Sequence, residues 1–445
     1  MSFVRSLTAV SLLIAGAGCA PQMSVATPSS VVQRTGVPSR PPEARGTTIP
    51  PGVALEDGLT QDEAVAIALW NNPEFQVLLA SLGFARADLV EAGLLQNPVL
   101  SLLFPWGPKQ FEATLRWPVE LLWQRPRRVA AAQKAAESVA AALEQDGLTL
   151  VSDVKLAYAE FGLAQDRVTL SERALAELNA IAMLMDSRFQ AGDISQLEAR
   201  VASIDAARAR QDVERARLDA VLRATELLAR LGLALEPAPT PPRLNPAPLV
   251  QCAVTATVLT DALASRPDVR AAELTVEAAG SRLGWERSRV LTLTAVLDAN
   301  GAGTEGFELG PGIDMGIPLF NRNQGNITRA QAELQRASSQ YLAVRQRVAT
   351  EVRVAAAQYD QASAAAAEWR KTVLEPLEQQ VAVADRAFNE GEVAYLFVIE
   401  MNRRLIDARL RTREAEADIA RALARLERAV GRRCDTTEGG RTGGS

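Results

Sequence analysis

The sequence predicts a mainly α-helical protein with a β-hairpin in each of two repeats, that is, a duplicated body of long coiled-coil helices plus four strands. Three observations predict it. The chain says nearly the same thing twice, about 200 residues apart. Each copy contains a helical stretch far longer than an ordinary globular helix, and each interrupts its helices with a pair of alternating apolar and polar segments.

The repeat rests on landmarks that keep their order and spacing. Ala68-Leu69 with Asn72-Pro73-Glu74 recurs as Ala262-Leu263 with Arg266-Pro267-Asp268, and Trp117-Pro118 recurs as Ile317-Pro318. Phe189-Gln190-Ala191-Gly192 recurs as Phe388-Asn389-Glu390-Gly391, and Leu231-Gly232 as Val430-Gly431.

Arg127–Gln190 contains no Pro and only Gly147 and Gly162, and Ala, Leu, Val, Glu and Arg dominate it. It reads as one helix of about 64 residues, roughly 95 Å long. Shorter helices are expected at Glu74–Leu94 and Ile194–Leu231, together nearly matching the long one. The second copy repeats the pattern with Gly325–Asn389, Asp268–Ser288 and Glu392–Gly431, and Pro376 is expected to kink its long helix. Two short helices end to end beside one long helix make a rod, and small Ala residues let the helices approach closely.

The hairpins lie between the short and long helices. In the first copy Val99–Phe104 and a turn at Trp106-Gly107-Pro108 precede Phe111, Ala113, Leu115, Trp117 and Val119, which alternate with Glu112, Thr114, Arg116 and Glu120. In the second, Leu291, Leu293, Ala295 and Leu297 alternate with Thr292, Thr294 and Val296. Phe307, Leu309, Ile313, Met315 and Ile317 then alternate with Glu308, Gly310, Gly312, Asp314 and Gly316. Strands of about 8–10 residues match tilted strands of an outer-membrane barrel, and Trp106, Trp117 and Trp123 suit its interface belts. Four strands cannot close a barrel, because an open edge in lipid leaves backbone groups unpaired. Two chains would give eight strands around a packed lumen, and three give twelve around a water-filled passage; a trimer is the reading adopted. A soluble sheet packed on the helices is the competing one.

Composition excludes several function classes. Of 445 residues 48% are hydrophobic and 23% charged, and the formal net charge of −5 leaves no basic face for nucleic acid. The absence of His removes the usual zinc or copper ligand and the usual general base. With no phosphate loop and no nucleophile elbow, no enzyme, cofactor or resident metal is expected.

Met1–Gly18 has an early Arg5, then the apolar run Leu7–Ala15 and small residues before Cys19, which reads as a secretory signal. Small residues before a Cys resemble a lipoprotein cleavage box, although Gly16 stands where Leu is usual. Cleavage there would lead to lipidation of Cys19 on its thiol and new amine, palmitate included, and Ala20 resembles an outer-membrane sorting signal. An ordinary signal peptide with an incidental Cys is the alternative. Cys252 and Cys434 each sit at an end of the second copy, and in an oxidising compartment they would form a disulfide or stay unpaired. The chain is thus divided into a signal peptide 1–18, a lipidated tether 19–56, repeats 57–235 and 253–432, a Pro-rich connector 236–252 and a disordered tail 433–445.

The order of helix, hairpin, long helix, Phe-x-x-Gly break and helix, given twice, resembles the outer-membrane efflux factors typified by TolC, CusC and OprM. Its local matches are Glu63-Ala64-Val65 with Ala68-Leu69 and Asn72-Pro73, Ala92-Gly93-Leu94-Leu95 with Asn97-Pro98, and Pro318-Leu319-Phe320. The resemblance implies a trimeric twelve-strand β-barrel that continues into an α-helical periplasmic tunnel. It further implies a lipid-anchored protein of the bacterial outer membrane with a large periplasmic part. This exit duct of a tripartite efflux pump would pass substrates passively, docked to a periplasmic adaptor (a membrane fusion protein) and an inner-membrane pump of RND type. An outer-membrane duct of type I protein secretion and a lipid-anchored periplasmic scaffold without a pore are the alternatives.

With the hairpins in the membrane, the breaks at Gly192 and Gly391 mark the far, periplasmic tip. Glu198 and Glu400 follow them and match positions where the family places carboxylates around the pore, so they are the candidate gate; a solvated helix surface is the other reading. Phe189, Gly192, Phe388 and Gly391 are candidates for tip turns and adaptor contact. Val393 stands where the best-known member carries the Arg that pins its closed tip, and Arg188 is a candidate substitute.

Overall fold

The computed structural model describes residues 48–53, 57–104, 106, 111–233, 243–245, 252, 257–301 and 306–434. The signal 1–18, the lipidation at Cys19, Gly107-Pro108, most of the connector and residues 435–445 lie outside the described residues.

In chain order the elements are α1 Gln61–Asn71, α2 Pro73–Gly93, β1 Val99–Leu103, β2 Phe111–Pro118, α3 Leu121–Gln190 and α4 Gln196–Arg230. The second copy supplies α5 Val258–Ser265, α6 Pro267–Ser288, β3 Thr292–Gly301, β4 Phe307–Gly316, α7 Gln324–Trp369, a π-helical turn Arg370–Leu374, α8 Glu375–Asn389 and α9 Tyr395–Val430. α3 has 70 residues, which is about 105 Å of helix. It begins six residues before the expected start and carries Pro126 near its N-terminus, where few ladder bonds precede the ring.

The second long helix is not one piece. Pro376 has no N–H and its ring crowds the carbonyl four residues back. Just before it the helix widens into the π turn and restarts as α8. Kinks with this cause are local, so the break stays in five residues. The short helices α1 and α5 were not anticipated as separate elements.

The repeated landmarks build two cores. Val65, Ile67, Ala68 and Leu69 of α1, Phe75 and Leu82 of α2, Val154, Tyr158 and Phe161 of α3, and Leu227 and Leu231 at the end of α4 form the first. Ala262, Val269, Val348, Val352, Tyr359, Leu426 and Val430 form the second. At both, the residue before the helix-starting proline ties down the last turn of the returning helix: Asn72 Nδ2 donates to the Arg230 carbonyl at 3.0 Å, and Arg266 donates to the Ala429 carbonyl at 2.9 Å. Arg266 is only 2% exposed, and ion pairs to Asp268 and Glu351 compensate its burial.

Straps cross these cores. Leu59 pairs with Leu244 in a short parallel bridge, and the Tyr158 hydroxyl lies 2.7 Å from the Leu59 carbonyl and 2.5 Å from that of Asn245. Burial pushes this hydroxyl's pKa up to about 12. Thr48, within the region read as tether, is bonded to Trp70 and Asn71 of α1. Arg433 and Cys434, read as disordered tail, are also held: Arg433 pairs with Asp62 at 3.3 Å, and Cys434 is bonded to Cys252 with 5.4 Å between Cα atoms.

The strands form one antiparallel sheet in the order β1-β2-β3-β4. The helices that continue them lie side by side in the matching order: α2 packs on α3, α3 on α6, and α6 on α7. Below them α4 runs along α3, and α9 packs on α3, α7 and α8.

Candidate functional site

The first candidate region is the sheet. In the observed register Leu100 faces Leu115, Leu115 faces Leu297, and Leu297 faces Pro311; likewise Leu102, Ala113, Ala299 and Leu309 form one row. Because side chains alternate along a strand, these rows with Phe111, Trp117, Phe307, Ile313 and Met315 make one apolar face across all four strands. Among them Leu309, Ile313, Met315 and Phe307 are exposed in the single chain.

The other face is polar over most of β2, β3 and β4, with Val296 among them, while β1 places Val99 and Leu103 there. It carries Glu112, Thr114 and Arg116 from β2, Thr294, Asp298 and Asn300 from β3, and Glu308 and Asp314 from β4. Thr114 Oγ1 donates to Asp298 Oδ1 at 2.8 Å, Asn300 donates to Asp298 Oδ2 at 3.0 Å, and Arg116 lies 3.9 Å from Asp314. Gly310, Gly312 and Gly316 share this face of β4 and keep it free of bulk. Among the described strand residues four carboxylates stand there with one guanidinium.

The second region is the tip. α3 ends where Gly192 N–H donates to Phe189 and Asp193 N–H to Arg188; α8 ends with the same pair of bonds, Gly391 to Phe388 and Glu392 to Ala387. Gly192 and Gly391 have φ of 83° and 78°, the left-handed region where glycine avoids the Cβ clash. Phe189 and Phe388 are each exposed beside these turns.

The two helices that leave the turns start differently. Ser195 and Glu198 form a capping box: Glu198 Oε2 accepts from the Ser195 backbone N–H and hydroxyl, both at 2.8 Å, and Ser195 Oγ accepts from the Glu198 N–H. These bonds, with Arg188 contributing, hold the Glu198 carboxyl below the usual carboxylate range. α9 begins after Ala394 and has no side-chain cap.

Glu198 and Glu400 line one open groove of about 1280 Å³ between the tip ends of α3, α4 and α9. Its floor includes Ile181, Ala202 and Ile399, and Arg188, Asp205, Arg403 and Asp407 line it too. Glu400 accepts from Arg403 at 3.1 Å through each oxygen and from Arg404 at 3.1 Å, which lowers its pKa. Glu400 is thus ion-paired within the chain, whereas Glu198 is held by hydrogen bonds from Ser195. Arg403 was missed in the sequence: it bonds Glu400 and also feels Asp407 and, from the other repeat, Asp205. Its spacing of three from Glu400 was the available signal.

Among the described residues no group of three Cys, Asp or Glu is arranged to hold a metal, and no helix is long and apolar enough to cross a membrane.

Comparison with known proteins agrees with this architecture. The family model described as outer membrane efflux protein matches residues 65–233 and 258–432, the two structural repeats. The cobalt-zinc-cadmium resistance protein CzcC of Cupriavidus metallidurans is 26% identical over 389 residues, covering 84% of this chain and 90% of the relative. Among solved structures, CusC aligns with a TM-score of 0.68 at 18% identity, over 88% of this chain and 98% of its own. The open-state MtrE outer membrane channel of Neisseria gonorrhoeae aligns with a TM-score of 0.61 at 17% identity, over 89% and 99%. These likenesses extend across both repeats, the sheet and the tip. With the family model matched twice, once per repeat, the chain belongs to the outer membrane efflux protein family and is an outer-membrane efflux channel.

Proposed function

We propose that three copies of this chain close a twelve-stranded barrel and a helical tunnel, forming the exit duct of a tripartite pump. The observation that carries the assembly is the matched lateral order of sheet and helices. The open edges β1 and β4 continue the flanking helices α2 and α7, so one neighbour extends both layers at once. Both flanks expose apolar side chains, such as Val77 and Phe84 on α2 and Leu342 and Val354 on α7. Three is the number that leaves a passage wide enough for water.

In this reading the apolar sheet face meets lipid, Cys19 carries the anchor, and the tip meets a periplasmic adaptor and an RND-type inner-membrane pump. Phe189 and Phe388 supply adaptor contacts, and Glu198 and Glu400 ring the gate. The name of the CzcC relative and the excess of carboxylates on the polar strand face favour divalent metal cations as cargo. The duct passes them without binding them tightly, consistent with a chain that has no His.

The test is single-channel conductance of the detergent-extracted protein in planar bilayers, with Glu198→Gln and Glu400→Gln beside wild type. Cation-selective openings altered by the substitutions are expected. Silence from protein verified as membrane-inserted would mean a sealed tip, and silence with no membrane insertion, in wild type and both variants, would overturn the duct in favour of the pore-free scaffold.

A further inference from the structure

We propose that the Cys252–Cys434 bond is an export-dependent clasp, made only after the chain leaves the reducing cytoplasm, that closes the second repeat end to end and pins the C-terminal segment through which it reaches the first. This goes beyond the duct reading. It does not depend on it.

The bond joins residues 182 apart in sequence and so closes the whole second repeat into a loop. Cys252 belongs to the connector, packs on the second core and donates its N–H to the Tyr359 hydroxyl at 2.8 Å. Cys434 follows α9 and donates its N–H to Glu427 Oε1 at 3.0 Å, while Glu427 Oε2 accepts from Lys155 of α3 at 2.6 Å. Of the residues just before it, Arg432 reaches Asp261 within the second repeat at 4.0 Å, and Arg433 bridges the copies to Asp62 of the first at 3.3 Å. Three residues thus touch the connector, α1, α5 and α9. Exposed ion pairs alone hold such a segment weakly. A covalent link removes from the unfolded chain the freedom of a very long loop.

Formation needs an oxidant, which is a protein disulfide donor of the exported compartment. One cysteine thiolate attacks a donor sulfur, giving a mixed disulfide and releasing one donor thiol. The second cysteine thiolate then attacks the mixed disulfide at its partner sulfur and expels the other donor thiol. The net change is two thiols oxidised to one disulfide and the donor disulfide reduced to two thiols, with both protons passed to the donor.

The experiment uses the full chain extracted from membranes. Denatured protein is treated with a polyethylene-glycol maleimide before and after reduction, and a gain of two labels on reduction, on a species migrating as a monomer, is expected. Two labels without reduction, or a disulfide-linked dimer, would overturn the clasp. Thermal melting followed by helical circular dichroism then compares oxidised wild type, reduced wild type and Cys252→Ser/Cys434→Ser. The last two are expected to melt about 5 °C or more below the first. Equal midpoints for all three would overturn it, and the reduced wild type keeps the test valid if the variant fails to accumulate.

Discussion

At the scale of single residues, the glycines after the returning helices differ from those at the tip although all share a left-handed backbone. Gly232 has a φ of 75°, and a Cβ there would stand 2.5 Å from the Asn71 carbonyl oxygen. That oxygen is backbone at the α1–α2 junction and has no side-chain freedom with which to withdraw. Gly192 and Gly391 have similar φ but open space around the added carbon. Gly232→Ala is therefore expected to combine left-handed strain with overpacking and destabilise by about 3 kcal/mol. Gly192→Ala carries the strain alone, about 1 kcal/mol. Denaturant unfolding monitored by helical circular dichroism separates them; equal losses would mean that the Asn71 contact relaxes freely.

At the scale of elements, the two tip hairpins have the same turn but different starts to their outgoing helices, Ser195 in one and Ala394 in the other. Ser195→Ala is expected to weaken the start of α4 by about 1 kcal/mol, read as a several-fold faster amide exchange in its first turn. The accompanying acid dependence has a definite sign. Glu198 is held below the usual carboxylate range by the Ser195 bonds, so its stabilisation is complete above that range and is lost as pH falls beneath it. Amide exchange in this turn, corrected for intrinsic rates, should therefore accelerate in acid for wild type and less for the variant. The long helices, both hairpins and the tip turns were legible in the sequence because each is written in local spacing: the Pro-free stretch before Gln190, the alternation through Phe111–Trp117, and Gly192 and Gly391. What was not legible depends on partners far away in the chain. Arg403 answers to Asp205 of the other repeat, Arg433 to Asp62, and α1 and α5 are fixed as elements by cores that only the fold assembles.

At the scale of the whole molecule, the register places Glu112, Asp298, Glu308 and Asp314 on one face with Arg116 as their basic counterpart. Asp314 lies near Arg116, and formal charge among the described residues of this face is negative, toward the strand end where Glu112, Asn300 and Glu308 are aligned. In a barrel of three chains that negative charge repeats around the lumen, and rings of like charge concentrate cations and repel anions. A duct built this way has a cation preference that originates in the barrel, independent of the tip glutamates, which are already engaged by Ser195 and by Arg403 and Arg404. Glu112→Gln/Asp298→Asn/Glu308→Gln is thus expected to move the reversal potential in a salt gradient toward zero with openings still present. Glu198→Gln and Glu400→Gln should change the frequency or size of openings more than the sign of selectivity. An unchanged reversal potential in the triple strand variant, together with a shifted one in the tip variants, would place the filter at the tip and overturn the assignment to the barrel.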